Sequence, residues 1–483
     1  MKKVLSIILL LIPVFSFAQK QANIWYFGIG NGLDFSSGSP VLIPGGQTGS
    51  GAVPIQEGTS SIADSDGNLL FYSDGRNCYN RVHQVMPNGA GIMGGYSSTQ
   101  SALIVPVPKT DSLFYLFTSD HFENYTASVQ HRGYRYSIID MCLDSGKGDV
   151  LLNQKNILLS DSSTEKLAAC LDTGGTGYWV VGHKMFSNQF IAWHLTASGI
   201  TDTVETNMGR VHGWDPSSSS WISGSAQGQM KFDAAGTKLV LAIGNIAPAA
   251  IYLYDFDAGS GVVSNECRIV IDSALNKQTY GVEFSPDGSK IYAGAAGGNP
   301  DKRVYQFDLN AGGGNCDSIK ASMYNLHTST ANSVMLGFQV APEGKIYVVG
   351  NNYYYLCTID FPNLSGAAAG FNDIAVSLPF WTYTTPGFIA GFKYLNQLMD
   401  CVFPTPNSVP TIPGKEVYYY PNPASDIVHL HGLSEGKFQI YEVTGRLLSS
   451  GTLDKGKIDI SFLMNGIYYL RINETDVIKF IKQ

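Results

Sequence analysis

Apolar residues along this chain fall in short runs that alternate with polar positions at a period near two, and most runs end at a glycine-bearing turn. That pattern predicts strands joined by tight hairpins, with no sustained helical stripe. Three runs align as copies of one hairpin: Met230 through Asp233-Ala234-Ala235-Gly236 to Val240, Val282 through Ser285-Pro286-Asp287-Gly288 to Tyr292, and Phe338 through Ala341-Pro342-Glu343-Gly344 to Tyr347. Where proline stands it presets the first φ of the turn, and glycine accepts the positive φ that follows. Weaker copies lie at 61–74 with Asp66-Gly67 at the turn, at 104–120 around Lys109-Thr110-Asp111, and at 167–183 around Gly174-Gly175. A further strand follows most of them, at 134–140, 190–195, 251–256, 303–309 and 355–361. Measured at the second strand (Tyr72, Tyr115, Trp179, Val240, Tyr292, Tyr347), the units recur every 43 to 64 residues. A sheet of three or four strands repeating at this period can bury its faces only against its neighbours, so the expected fold is an all-β β-propeller.

Six units are visible in this way, and the ends supply a seventh. Ile24-Trp25-Tyr26-Phe27-Gly28 and Leu33-Asp34-Phe35 make a lone hairpin, and Gly387-Phe388-Ile389-Ala390-Gly391-Phe392 is strand material at the far end of the region. Joined, they would close a seventh sheet and remove the open edges of the ring. The expectation is a seven-bladed propeller over 22–395, with six or eight blades as alternatives. A proline-rich linker follows at 396–416, including Phe403-Pro404-Thr405-Pro406-Asn407 and Val409-Pro410-Thr411-Ile412-Pro413. Short alternating strands near 427–430, 437–443, 457–460, 466–472 and 477–481 then predict a small C-terminal β-sandwich over 417–483.

Composition agrees with an all-β chain: 53 glycines, 27 tyrosines and 24 phenylalanines in 483 residues, with 14% charged residues. The net charge of -8 argues against a nucleic-acid partner. Lys2 and Lys3, the apolar run 4–15 and the small-residue site Ser16-Phe17-Ala18 read as a signal peptide over 1–18. No second apolar run is long enough for a transmembrane segment. No cysteine follows the expected cleavage site, which disfavours a lipid anchor there. The seven cysteines (Cys78, Cys142, Cys170, Cys267, Cys316, Cys357, Cys401) lack CxxC spacing. Export permits disulfides but an odd count leaves one thiol over, and the simpler reading is buried cysteines acting as small hydrophobes.

Two stretches carry a family resemblance. Ile24-Trp25-Tyr26-Phe27-Gly28, Gly32-Leu33-Asp34-Phe35, Glu57-Gly58-Thr59-Ser60-Ser61-Ile62-Ala63-Asp64, Leu69-Leu70-Phe71-Tyr72-Ser73-Asp74-Gly75 and Gly95-Tyr96-Ser97-Ser98-Thr99-Gln100-Ser101-Ala102 resemble exported WD40-like propellers of Bacteroidetes bacteria. That likeness implies a fold and no activity. The tail motifs are Tyr420-Pro421-Asn422-Pro423-Ala424, Val443-Thr444-Gly445-Arg446-Leu447, Asn465-Gly466-Ile467-Tyr468-Tyr469-Leu470 and the closing Ile478-Lys479-Phe480-Ile481-Lys482. In order and spacing they are similar to the type A C-terminal sorting domain of the type IX secretion system. The resemblance implies that the secretion machinery is a partner, with Tyr420, Pro421, Asn422, Pro423, Gly445, Arg446, Gly466 and Tyr468 as the sorting motif. It also implies a destination in the medium or on the outer cell surface.

Candidate chemistry centres on the channel. Glu57, Gln100, Glu165, Glu283 and Gln339 stand on or just before the expected first strand of their units. First strands line a propeller's channel, so these five could form a polar ring able to hold a calcium ion or a sugar. Lys231 occupies the position equivalent to Glu283 and Gln339, which points instead to a mixed-charge ring whose members satisfy one another. His83, His121, His131, His183, His194, His212 and His327 read as isolated, and His429 with His431 is too few for a closed zinc site. His183, at a strand end, and His212, in the polar loop Gly213-Trp214-Asp215, are the pair best placed to reach a cleft. Asp64-Ser65-Asp66-Gly67-Asn68 begins like a calcium loop, yet Gly75 stands where the bidentate acid belongs, so a hairpin turn is the better account.

No GxSxG elbow, HExxH pair or P-loop occurs, and no cofactor is called for apart from the calcium option. Trp214, Trp221 and Tyr353-Tyr354-Tyr355 could stack on sugar rings or pack between blades. The leading expectation is an exported binding or adhesion protein whose loops 207–228 and 119–134 meet a carbohydrate or a surface protein. The alternative is a channel-centred hydrolase or lactonase using Glu57, Glu165, Glu283 and His183. A purely structural surface component is the third reading, and enzymatic activity stays open.

Overall fold

The hairpins form as their turn chemistry dictates. Asp233 accepts the backbone N–H groups of Thr237 and Lys238 at 2.7 and 2.8 Å, and Gly236 between them takes φ 72°. Asp64 closes its turn the same way, accepting from the N–H groups of Asp66 and Asn68 at 2.9 and 2.8 Å. Its carboxylate is therefore committed to the turn. In both turns a short acidic side chain takes over amides that no strand can pair.

The computed structural model describes residues 20–47, 57–126, 131–213, 223–244, 249–272, 278–296, 302–329, 337–349, 354–380, 382, 385–393, 418–420, 424–431, 434–442, 446–473 and 476–482. The signal peptide expected at 1–18 and the linker expected at 396–416 lie outside these residues. The chain divides into two units, Met1–Cys401 and Val402–Gln483.

The first unit holds seven antiparallel sheets in chain order. Blade 1 has three strands, Ile24–Phe27, Asn31–Asp34 and Val41–Leu42. Blades 2 to 7 begin with the inner strands Ser60–Ala63, Ala102–Pro106, Leu167–Leu171, Met230–Phe232, Gln278–Phe284 and Phe338–Val340. Each continues outward through three more strands in sequence order, and blade 3 adds a fifth, Ile157–Ser160. Successive inner strands from blade 2 to blade 7 touch one another. Middle strands are buried along their length, as in Tyr178–His183, whereas outer strands such as Gly199–Asn207 are largely exposed. This gradient explains why the inner hairpins are plain in the sequence and the polar outer strands faint.

Blade 1 closes the ring. Its first strand is buried throughout, and alternate side chains go to opposite neighbours. Trp25 and Phe27 share a core with Tyr347, Val349 and Leu356 of blade 7, while Ile24 and Tyr26 share one with Ala63, Tyr72 and Tyr79 of blade 2. The 387–392 segment does not form the strand expected of it: Ala390–Phe392 is a 3-10 turn, with Gly391 at φ 60°. Gly387 instead bonds to blade 2, donating to the Thr59 carbonyl at 2.7 Å and accepting from the Ser60 hydroxyl at 2.8 Å. The Ile24 carbonyl on the first strand is taken by the Ser61 hydroxyl at 2.6 Å, and Pro386 has no N–H to offer. Phe388 still reaches the blade 1 core through its side chain.

Three cysteines, Cys78, Cys170 and Cys357, are buried thiols, as expected of small hydrophobes. Others depart from that expectation: Cys267 on the outer strand of blade 5 is bridged to Cys316, which opens a short helix of blade 6, and Cys142 is also disulfide-bonded.

The second unit packs a three-stranded sheet (Tyr418–Tyr420, Ile427–His431, Lys457–Asp459) with a four-stranded one (Leu447–Thr452, Lys437–Glu442, Gly466–Ile472, Asp476–Lys482). Val428, Ile440, Ile458, Leu470 and Phe480 fill the space between them. The strands Tyr418–Tyr420 and Leu447–Thr452 were not anticipated from the sequence.

Ring closure through Trp25 should dominate stability. Its ring lies 4.7 Å from Phe35 and 5.7 Å from both Tyr347 and Phe388. Trp25→Ala is expected to cost about 3–5 kcal/mol in denaturant unfolding, and an unchanged midpoint would contradict closure through this sheet. The Cys267–Cys316 bridge spans 49 residues, so Cys316→Ser is expected to lower unfolding free energy by roughly 4 kcal/mol under oxidising conditions and by nothing in excess reductant.

Candidate functional site

The inner strands of blades 3 to 7, with Gly58 and Thr59 just ahead of that of blade 2, line a central cavity of about 450 Å³. Its upper end is where these strands begin, and its lower end is where their hairpins turn. The Ala390–Phe392 turn reaches the lower end, where the Gly391 backbone lies so close to Ala234 that an added Cβ would meet it at 3.2 Å. The polar groups expected to form one ring fall into two separate sets.

The lower set is closed on itself. Lys231 Nζ sits 3.3 Å from Glu283 Oε2 and donates to Gln339 Oε1 at 2.5 Å. Glu283 also accepts the N–H groups of Phe284 at 3.0 Å and Val340 at 3.3 Å. Burial pushes the Glu283 carboxyl up, and the Lys231 ammonium pulls it back. A buried charge left without such partners would be costly, so removing either member should be far worse than replacing both.

Gln100 belongs to a structural device rather than to an open ring. Its Oε1 accepts from Leu167 N at 3.2 Å and Met230 N at 2.9 Å, and its Nε2 donates to Met230 O at 3.1 Å. Gln229 repeats the pattern two blades on, accepting from Val282 N and Phe338 N at 3.3 and 2.9 Å and donating to Phe338 O at 3.3 Å. Each glutamine thus ties together the next two inner strands through amides that hairpin pairing leaves over. The sequence reading overlooked Gln229, although it precedes its strand much as Gln100 does.

At the upper end four side chains meet. The Tyr280 hydroxyl contacts the Glu57 carboxyl and lies 2.8 Å from Thr99 Oγ1, which in turn lies 2.8 Å from Glu165 Oε2. Glu165 also accepts from Thr99 N at 3.0 Å and Phe122 N at 3.1 Å. Burial, then the neighbouring Glu123 charge, pushes the Glu165 carboxyl up to about 7. Burial, then Glu165, raises Glu57 well above the usual carboxylate range. Lys166, next to Glu165, is engaged elsewhere. Its Nζ donates to the carbonyls of Ala226, Gln227 and Gly228 at 3.2, 2.6 and 3.0 Å. Burial lowers Lys166 to about 7, yet three carbonyl acceptors match the three hydrogens of an ammonium. Thr99, Tyr280 and Lys166 were absent from the sequence candidates.

The loops around the upper end bring together histidines that looked isolated. Asp120, fully buried, accepts from His121 N at 3.0 Å, from Arg132 N at 2.8 Å and from Asn124 Nδ2 at 2.9 Å. His121 Nδ1 lies 3.2 Å from one of its oxygens and His131 Nε2 lies 3.7 Å from the other. His183 and His212 do pair, with ring centroids 3.9 Å apart, but each is only 1% exposed and neither opens onto a cleft. Burial drives His183 down to about 3. Among the described residues, no group of three or more His, Cys, Asp or Glu side chains is arranged to hold a metal ion.

Of the aromatic candidates, Tyr354 is exposed, while Trp214, Trp221 and Tyr353 lie outside the described residues. An aromatic the sequence reading missed is more telling. Phe186, in the turn after His183, holds φ 58°, is 41% exposed and meets Tyr125 edge to face at 5.0 Å. Tyr125 in turn stacks on His131 at 3.5 Å.

In the tail, Arg446 forms a two-bond clamp on Glu442, at 2.7 and 3.1 Å. Tyr468 is buried, donates to the Met464 carbonyl at 2.8 Å and stacks on Phe480 at 5.7 Å. Gly466 opens the strand that carries Tyr468, and a Cβ there would lie 3.6 Å from that ring. Pro421, Asn422, Pro423, Gly445 and the Tyr420 side chain lie outside the described residues.

Residues 418–483 match the family described as the secretion system C-terminal sorting domain. No curated protein matches the chain. Among solved structures, a protein of Bacteroides uniformis described as a putative 6-phosphogluconolactonase shares 10% identity over 73% of this chain and 95% of its own, with a TM-score of 0.43. PorZ, a bacterial surface component of the type IX secretion system of Porphyromonas gingivalis, shares 12% identity over 95% of this chain and 74% of its own, with a TM-score of 0.31. Likenesses this distant transfer no activity. No helix among the described residues is long and apolar enough to cross a membrane. A seven-bladed propeller is followed by a sorting domain of the type IX secretion system, which marks the protein for the cell surface or the medium.

Proposed function

We propose that this protein is an exported binding module whose upper propeller face takes carbohydrate. Phe186 is the observation that carries the reading. A bulky residue in the left-handed region costs about 1–2 kcal/mol, and this one is spent at a turn tip on holding an aromatic ring partly in water. Its backbone is fixed there by a 2.7 Å hydrogen bond from its N–H to the His212 carbonyl. Phe186, Tyr125 and His131 form a row of rings in contact, and Tyr96 packs on His121 at 4.5 Å nearby in sequence. A flat, partly exposed ring suits the apolar face of a sugar. Tyr125 and His131 lie on the loop region 119–134 that the sequence singled out, whereas Phe186 lies outside both regions and meets 207–228 only through the His212 carbonyl.

The channel supports binding over turnover for a different reason. Lys231, Glu283 and Gln339 are spent on one another, and Gln100 and Gln229 on inner-strand amides, so a reacting group would have to displace a bond that the fold uses.

Glycan-array binding by the purified full chain tests the proposal. Phe186→Gly relieves the φ penalty, so unfolding free energy should stay within about 1 kcal/mol of wild type while affinity for the bound glycan falls at least about 10-fold. The paired replacement Lys231→Met with Glu283→Gln should leave that affinity unchanged. Equal binding by Phe186→Gly, or no glycan bound at all, would rule the reading out.

A further inference from the structure

We propose that the upper end of the channel contains a binding site for one structural proton, held by Glu57 and shared through Tyr280 and Thr99 with Glu165. Counting hydrogens leads to this. Three oxygen-to-oxygen contacts run in series, Glu57 to Tyr280, Tyr280 to Thr99, and Thr99 to Glu165. Two hydroxyl groups supply two hydrogens. With both carboxyls ionised, one of the three contacts would press lone pair against lone pair in a buried setting. A third hydrogen turns all three into hydrogen bonds, and only a carboxylic acid can bring it.

Donor geometry places that hydrogen. Glu165 already receives the N–H groups of Thr99 and Phe122, so with the Thr99 hydroxyl it accepts three hydrogen bonds, a setting that favours the carboxylate. The series then runs in one direction: Glu57 donates to Tyr280, Tyr280 to Thr99, and Thr99 to Glu165. Gly228 N–H completes the Thr99 oxygen at 3.1 Å. Among the described residues, the other charged groups facing the pair are Glu123 and Lys166. Glu123, held by the Ser97 hydroxyl at 3.2 Å, disfavours a second negative charge on the pair. Lys166 is turned to its three carbonyls.

The site spans the ring. Glu57, Thr99, Glu165 and Gly228 stand just ahead of the inner strands of blades 2, 3, 4 and 5, and Tyr280 lies on that of blade 6. Thr99 and Gln100 line the cavity, so the proton fastens its upper end. Linkage gives the sign. A carboxyl whose proton is held more tightly in the folded state contributes stability at low pH, and that stability is lost as pH rises through the folded-state value.

Glu57→Gln supplies the same donor permanently and cannot titrate. In the full chain, thermal unfolding followed from about pH 5 to about pH 9 should show wild type losing stability relative to Glu57→Gln, the gap widening by about 2 °C or more. Carboxyl carbon NMR of glutamate-labelled protein should show one resonance, missing in Glu57→Gln, that titrates well above the ordinary value of 4.5. Glu165→Gln keeps one acceptor oxygen, cannot receive the N–H groups of both Thr99 and Phe122, and should be less stable throughout the range. Parallel pH profiles for wild type and Glu57→Gln, or a Glu57 resonance titrating in the ordinary range, would overturn the site. A profile flattened by Glu165→Gln and not by Glu57→Gln would overturn the placement of the proton.

Discussion

A sheet with apolar side chains on both faces cannot leave either face in water, and everything in the first unit follows from that constraint. Blades 2 to 7 satisfy it for one another in sequence, but the outer faces of the first and last remain. The sheet carrying Trp25 and Phe27 on one side and Ile24 and Tyr26 on the other covers both. Burial of all four residues of its first strand means that this short segment, far from the final blade in sequence, decides whether the ring exists as a ring. At roughly 25 cal/mol per Å² of apolar surface, covering two blade faces outweighs the loop entropy of bringing the chain ends together.

Closing the ring creates a second problem, which the channel residues solve. Inner strands pair outward with their hairpin partners and leave backbone amides facing the channel and one another. Gln100 and Gln229 meet these amides with one carbonyl oxygen each, shared between two strands. Lys231 and Glu283 likewise stabilise each other where a lone charge would be untenable. The polar lining is therefore best understood as part of the ring's construction, and a polar channel in a propeller is not by itself a sign of chemistry.

What the sequence made legible was whatever depends on neighbours in the chain. Turn chemistry at Asp233, Pro286 and Gly344 located the hairpins, and Trp25 announced the closing sheet. The 387–392 segment misled because its apolar alternation looked extended, whereas Pro386 and the positive φ of Gly391 keep it out of the ladder. Of the candidates, Gln100, Glu283 and Gln339 line the cavity, but the five do not form one ring, since strand position says nothing of height along the channel axis. Tyr280 and Thr99 were invisible: they are 181 residues apart, and only ring closure makes them neighbours. His121 and His131 share one inter-strand loop, and spacing alone does not show that Asp120, next to the first, also comes within reach of the second. Phe186 carried no signal because a left-handed backbone at a phenylalanine leaves no trace in composition.

Export sets the terms on which this interior must last. Outside the cytoplasm a thiol is exposed to oxidants, and the thiols of Cys78, Cys170 and Cys357 survive by burial, which pushes Cys78 up to about 12 and keeps it from its reactive thiolate form. The bridge from Cys267 to Cys316 uses the same surroundings constructively, stapling the outer edges of blades 5 and 6 where strands are polar and apolar burial is weakest. Inner and outer edges are thus held by opposite means. At the rim a covalent bond makes stability insensitive to pH, while at the axis buried carboxyls, a lysine and shared hydrogens make it depend on protonation. A surface protein cannot choose its external pH, so the axis, not the rim, is where its surroundings can act on the fold.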